Sequence, residues 1–269
     1  QISLLINTIF ASFLAAGSVS WLYYADRLME FPAGVLGVAL STILLPNLSK
    51  SFSNKKTADY SDLINWGLKL GLLLAVPAAT ALVILAIPLI TTLFYYGAFT
   101  KTDVLMTQYA LIAYSVGLVG LILIKILAPA FYAQQNVKTP VKIALFTLFC
   151  TQFMNLIFIG YLQHAGLALA IGLGACINAG LLFYHLKKGN IFKLNGDWVM
   201  FLLKIILATF VMALGLLYFK GTVDLWINYS AFSRFIHLLT LILFGVFLYF
   251  IALKLCRLDI SDFFKKNVL

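Results

Sequence analysis

Eight apolar stretches, each about as long as a bilayer is thick, leave this 269-residue chain few ways to fold. They run approximately over residues 2–16, 19–45, 63–87, 106–128, 141–162, 167–186, 198–219 and 235–255. A hydrocarbon core of about 30 Å is crossed by roughly 20 apolar residues of helix. A spanning backbone must satisfy its hydrogen bonds internally, which leaves helices or closed barrels. None of the stretches alternates with period 2, so helices are the choice. Composition agrees: 63% of the residues are hydrophobic and 10% charged, against about 45–50% and 25% in soluble domains. A soluble fold of this size has too little interior to hide that much apolar surface. The expected fold class is all-α, a polytopic membrane helix bundle of about eight transmembrane helices.

The loops test the count. Those after the second, fourth, sixth and eighth stretches hold Lys50, Lys55, Lys56, Lys138, Lys142, Lys187, Lys188, Lys193, Lys254, Arg257, Lys265 and Lys266, whereas the alternate loops hold Lys101, Lys220 and Arg234. Cytoplasmic loops carry the Lys/Arg excess, so the first helix is expected to run outward and the C-terminus to lie in the cytoplasm. The net charge of +10 then belongs to the membrane topology, and no nucleic-acid partner is expected. Cys150, Cys176 and Cys256 form no CxxC or Cys/His pattern, so they read as small packing residues rather than a disulfide framework or a zinc site. The chain opens at Gln1 and is apolar from Ile2 with no charged region before it, which reads as a chain cut just before or inside a helix.

Several stretches are irregular. The second is nearly 30 residues long with Pro32 in its middle, Pro77 and Pro129 interrupt the third and fourth, and Pro88 follows the third. Each proline removes a backbone donor and is expected to kink or break its helix. Transporters place broken helices at substrate sites, although proline is also commoner in membrane helices generally. Ala168, Gly172, Cys176 and Gly180, and likewise Ala33, Gly37 and Ser41, repeat every four residues, a spacing that lets helices approach closely. The mixed apolar and basic tail, 257–269, suits a cytoplasmic interfacial helix.

Charge inside a spanning helix is costly and marks function by default. One cluster lies well below a helix end: Tyr23, Asp26, Arg27 and Glu30, on one broad face of the second stretch. It is read either as a face lining a water-filled cavity for a charged substrate or as a self-compensating network that fixes packing. Three charges and a tyrosine favour the cavity. Arg27 is its centre, because a guanidinium grips phosphate oxygens bidentately and keeps its proton. Lys125 is a second candidate, read equally as a snorkelling side chain and as a substrate contact. Asn7, Gln152, Asn155 and Asn178 are single amides in apolar helices, which hydrogen bonds between helices explain. His164, His185 and His237 are far apart, and no nucleophile, metal or nucleotide motif is present, so neither an enzyme nor a cofactor is expected.

Residues 17–39, GSVSWLYYADRLMEFPAGVLGVA, followed by 125–133, KILAPAFYA, and 138–142, KTPVK, closely resemble the MurJ (MviN) family of lipid II flippases. The similarity extends from residue 1 to the last helix. The resemblance implies a fourteen-helix transporter of the multidrug/oligosaccharidyl-lipid/polysaccharide exporter superfamily, of which this chain would hold helices seven to fourteen while the first six are missing. It implies alternating-access flipping of lipid II, an undecaprenyl-diphosphate-linked disaccharide peptide, across the bacterial inner membrane for cell wall synthesis. Membrane lipids and the N-terminal six helices are the other implied partners. Residues 1–186 would form transport-lobe helices, 187–256 the last two helices with a lipid-tail groove, and 257–269 the interfacial tail. Arg27, flanked by Asp26 and Glu30, matches a cavity arginine that the family needs. The readings left open are another exporter of the same superfamily and a non-transporting membrane scaffold.

Overall fold

The computed structural model describes residues 2–189, 192–193 and 196–258, and among them every regular element is a helix. The helices are α1 (Ile2–Ser12), α2 (Ser18–Ser53), α3 (Thr57–Ile84), α4 (Ala86–Phe94), α5 (Lys101–Ala133), α6 (Lys138–Lys188), α7 (Trp198–Phe219), α8 (Val223–Asn228) and α9 (Ala231–Leu255). Six of them, α2, α3, α5, α6, α7 and α9, are long and apolar enough to cross a membrane.

The count of eight stretches is reconciled by α6. Its 51 residues would reach roughly 77 Å if straight, more than twice a hydrocarbon core. The helix turns at Gln163, where φ is 51° and ψ −129°, and the chain doubles back. Gly166 then lies against the Phe158 carbonyl and Gly174 against the Thr151 hydroxyl. The stretches 141–162 and 167–186 are therefore the two arms of one hairpin. The short α1 accounts for the first stretch. It ends ahead of Gly17, whose φ of 101° suits glycine and almost no other residue.

The prolines lie within continuous helices. α2 continues through Pro32 and Pro46, α3 through Pro77 and α5 through Pro129, so none of them ends its helix. Long helices packed on neighbours tolerate the lost bond. The chain instead breaks at Leu85, between α3 and α4. Pro88 falls in the first turn of α4, where a helix needs no donor.

Close approach decides the packing. A Cβ added at Gly117 of α5 would lie 2.3 Å from the Gly172 Cα, and one at Gly120 would lie 2.7 Å from the Ala175 carbonyl carbon. Backbones that near require glycine, so this half of the small-residue stripe in α6 has the packing role that its spacing predicted. Most buried apolar residues of α1–α6 form one core, while a second joins α7, α8 and α9 through Leu73, Ile84 and Leu85. The Lys-rich connections gather at one end: the Tyr60 hydroxyl donates to the Ala130 carbonyl at 2.6 Å, Asn65 Nδ2 to the Lys193 carbonyl at 2.8 Å, and Lys204 Nζ to the Arg257 carbonyl at 3.1 Å. The interfacial helix expected after residue 257 lies almost entirely outside the described residues.

Candidate functional site

The charged cluster occupies the second to fourth turns of α2. Tyr23, Arg27 and Glu30 are exposed on one face, and Asp26 is half-buried at its flank. The turn-by-turn spacing produces a compact arrangement: Arg27 Nη1 donates to Glu30 Oε2 at 2.6 Å, and the guanidinium carbon lies 5.1 Å from the centroid of the Tyr23 ring. Both charged side chains keep over half of their surface open, 54% for Arg27 and 53% for Glu30.

Arg27 sits on a cavity of about 520 Å³ bounded by α2, α3, α4 and Ile242 of α9. The other lining residues, among them Phe31, Leu82, Leu89 and Phe94, are apolar. Of the five residues picked from sequence, only Arg27 lines this space. The cavity is thus an apolar pocket with a single cation on its wall, where the sequence suggested a polar, water-filled one. A second apolar cavity of about 210 Å³ lies between α3, α7 and α9, and Ala78, Ala81, Leu85 and Ile242 line both. Together they make a groove that starts beside a guanidinium and continues along hydrocarbon side chains.

Lys125 belongs elsewhere. Its ammonium donates to the Ala33 carbonyl of α2 at 3.3 Å, and its stem fills the space over Gly37, where an added Cβ would lie 2.3 Å from Lys125 Cδ. It is part-buried and does not line the cavity; in the structure it ties α5 to α2. The glycine of the α2 stripe admits this lysine rather than another helix backbone. Of the amides, Asn7 and Asn155 act as the sequence suggested, since Asn155 Nδ2 donates to Asn7 Oδ1 at 2.6 Å and joins α6 to α1, whereas Gln152 Oε1 accepts from Asn155 at 3.1 Å within α6 itself.

Two groups escaped sequence reasoning. Arg234, counted there as a loop charge, is 6% exposed. It donates to the carbonyls of Trp226 (2.9 Å), Thr91 (3.3 Å), Tyr95 (3.1 Å) and Ile227 (2.8 Å) and lies 4.9 Å from the Tyr95 ring centroid. It thereby fastens the end of α4, a wall of the cavity, to α8 and α9. The second group is at the same end of the bundle. Trp21 Nε1 donates to Asp103 Oδ1 at 2.7 Å, and His164 Nε2 reaches the Met106 carbonyl at 2.8 Å with its ring 5.1 Å from that of Trp21. These contacts hold the starts of α2 and α5 to the turn of α6. The Thr100-x-x-Asp103 spacing of a capping box, which the structure forms, was the available signal for Asp103.

Comparison with known proteins fits this architecture. A family model described as lipid II flippase MurJ matches residues 1–237. The probable lipid II flippase MurJ of Buchnera aphidicola subsp. Schizaphis graminum is 46% identical over 99% of this chain and 52% of its own length. The lipid II flippase MurJ of Burkholderia cenocepacia is 53% identical over 79% of this chain and 41% of its own. A solved structure of lipid II flippase MurJ in an inward closed conformation superposes with a TM-score of 0.80 at 26% identity, covering 98% of this chain and 52% of that one. The chain spans about half the length of the relatives it matches. With the model covering most of its residues and the solved structure matching its helices, the chain belongs to the lipid II flippase MurJ family.

Proposed function

We propose that this chain supplies helices seven to fourteen of a bacterial inner-membrane flippase, which carries lipid II to the periplasmic leaflet by alternating access together with six N-terminal helices. The observation that carries the reading is the groove: one guanidinium at its head and hydrocarbon walls beyond. An amphiphile with an anionic head and a long isoprenoid tail matches that order of chemistry. Moving a diphosphate through bare hydrocarbon is prohibitive, because each buried charge costs at least several kcal/mol. A cation on the cavity wall replaces part of the lost hydration, while the tail stays among apolar side chains.

In this reading Arg27 grips the phosphates, Tyr23 supports the guanidinium face, and Asp26 and Glu30 tune its field. Lys125 takes part only when its bond to the Ala33 carbonyl opens. Residues 1–186 form the transport lobe, and residues 187–256 supply α7 and α9, which border the tail groove with α3. The Lys-rich end faces the cytoplasm, and so does the C-terminus. Exporters of cationic drugs gain nothing from an arginine at this position, and a scaffold has no need of a cavity charge.

The test is lipid II exposure at the outer face of cells depleted of their native flippase. The full-length parent, Arg27→Ala and Arg27→Lys are supplied in turn at matched membrane levels. The parent is expected to restore exposure. Both variants are expected to fail, because a lysine ammonium is a point charge without the bidentate fork. Normal exposure with Arg27→Ala would assign Arg27 to packing, and failure of the parent would leave the scaffold or another exporter.

A further inference from the structure

Arg27 is not waiting empty-handed for an anion. Its Nη1 already bonds Glu30 Oε2 at 2.6 Å, from one turn further along α2. Among the described residues no other acidic side chain forms an ion pair with it. With Asp26 beside them, the three charges sum to −1, so the site repels an anion until a carboxylate yields. Glu30 is the one able to yield, because its side chain is half-exposed on the same open face. A tethered carboxylate one turn away competes at a high effective concentration, as any intramolecular partner does. The pair itself is weak, since half-exposed ion pairs contribute little, so a doubly charged, bidentate ligand displaces it at small cost.

We infer that Glu30 is a built-in competitor for Arg27: the anionic head displaces it on binding, and it returns to the guanidinium to expel the head after the cavity changes sides. The inference rests on the flippase reading above and adds the release step to it. Transport requires a site that binds and then lets go, and a bare arginine beside apolar walls would hold a diphosphate too well. The Tyr23 ring, 5.1 Å from the guanidinium carbon, keeps Arg27 in place whichever partner it has. Glu30 is thus a positioning residue acting through Arg27.

The experiment uses the full-length parent in lipid nanodiscs with lipid II as the probe for binding, and proteoliposomes for the rate of flipping. Glu30→Gln is expected to bind lipid II about 3–10-fold more tightly and to flip it more slowly by a similar factor, a split that a merely structural defect does not produce. In an Arg27→Ala background the tightening from Glu30→Gln is expected to vanish. Equal tightening with and without Arg27 would overturn the inference, since Glu30 would then be a background charge, and so would unchanged affinity in Glu30→Gln. Should Glu30→Gln fail to accumulate, Glu30→Asp keeps the charge but shortens its reach, with the same expected direction and a smaller size. A parent that binds no lipid II defeats the functional reading itself, a result distinct from a parent that binds while Glu30→Gln binds no better.

Discussion

Replacing Arg234 by Met removes a buried cation while keeping an apolar stem of similar length. Buried charges are often exchanged for hydrophobic residues with no loss, because the charge no longer has to be desolvated. That exchange works when both partners are replaced. Here the partners are four backbone carbonyls, of Thr91, Tyr95, Trp226 and Ile227, and no side-chain substitution removes them. Each buried acceptor left without a donor costs about 1–3 kcal/mol. Recovering the desolvation of the guanidinium and the second lone pair of each carbonyl offset much of that sum. A net loss of about 2–4 kcal/mol remains, or a fall in Tm of roughly 5–15 °C by the scaling of soluble domains. Arg234→Lys is expected to recover only part of it, because one ammonium cannot bridge acceptors on α4 and α8 together. The assay is thermal unfolding of the purified protein in nanodiscs, with Lys142→Met as an exposed control. A Tm for Arg234→Met within 1 °C of the parent would refute the reasoning, since the four bonds would then contribute nothing net.

Gly117→Ala is expected to cost about 1–3 kcal/mol through overpacking, because its Cβ would lie 2.3 Å from the Gly172 backbone. Gly180→Ala, on the same stripe of α6 but with nothing within 4 Å, is expected to be neutral or stabilising by up to about 1 kcal/mol; equal Tm shifts in the two would remove the close-approach argument. Gln163→Gly is expected to raise the Tm, because φ of 51° and ψ of −129° cost a side-chain-bearing residue about 1–3 kcal/mol. An unchanged or lower Tm would mean that the turn of α6 is unstrained.

What the sequence made legible was decided by the range of the forces involved. Hydropathy over 20 residues located the passes, because burial in a bilayer is set by composition alone. The loop charges gave an alternation consistent with the helix count, although Arg234, one of them, answers to neighbouring helices instead. The hairpin in α6 was legible as two stretches, yet its turn carries no Gly or Pro at Gln163 to announce it. The prolines did not say where a helix ends. A missing donor is a local fact, whereas whether the helix breaks depends on what packs around it; the chain does break at Leu85, just ahead of Pro88, which cannot bond the Ile84 carbonyl. At the site, the i, i+3 and i, i+4 spacing of Tyr23, Arg27 and Glu30 was enough to predict that they meet, since a single helix fixes it. The lining of the cavity depends on α3, α4 and α9, and no local pattern joins Arg27 to Ile242.

Lys125 and Arg234 explain why charge counting alone misplaces a site in such a bundle. Each is a cation within an apolar helix, and each is held by backbone carbonyls of a neighbouring element, Lys125 by Ala33 and Arg234 by the ends of α4 and α8. The Arg234 guanidinium makes four bonds to carbonyls and has little left to offer a substrate, whereas the Lys125 ammonium makes one, at 3.3 Å. Arg27 differs in its partner, a half-exposed carboxylate on its own helix, and in its exposure to an apolar cavity. The test for a functional cation in a membrane helix is therefore whether its present partner can leave. Backbone carbonyls are fixed by the helix that owns them, whereas a glutamate side chain rotates away about its own bonds. By that criterion Arg27, paired with a side chain, stands apart from Lys125 and Arg234, which are bonded to the backbone of neighbouring helices.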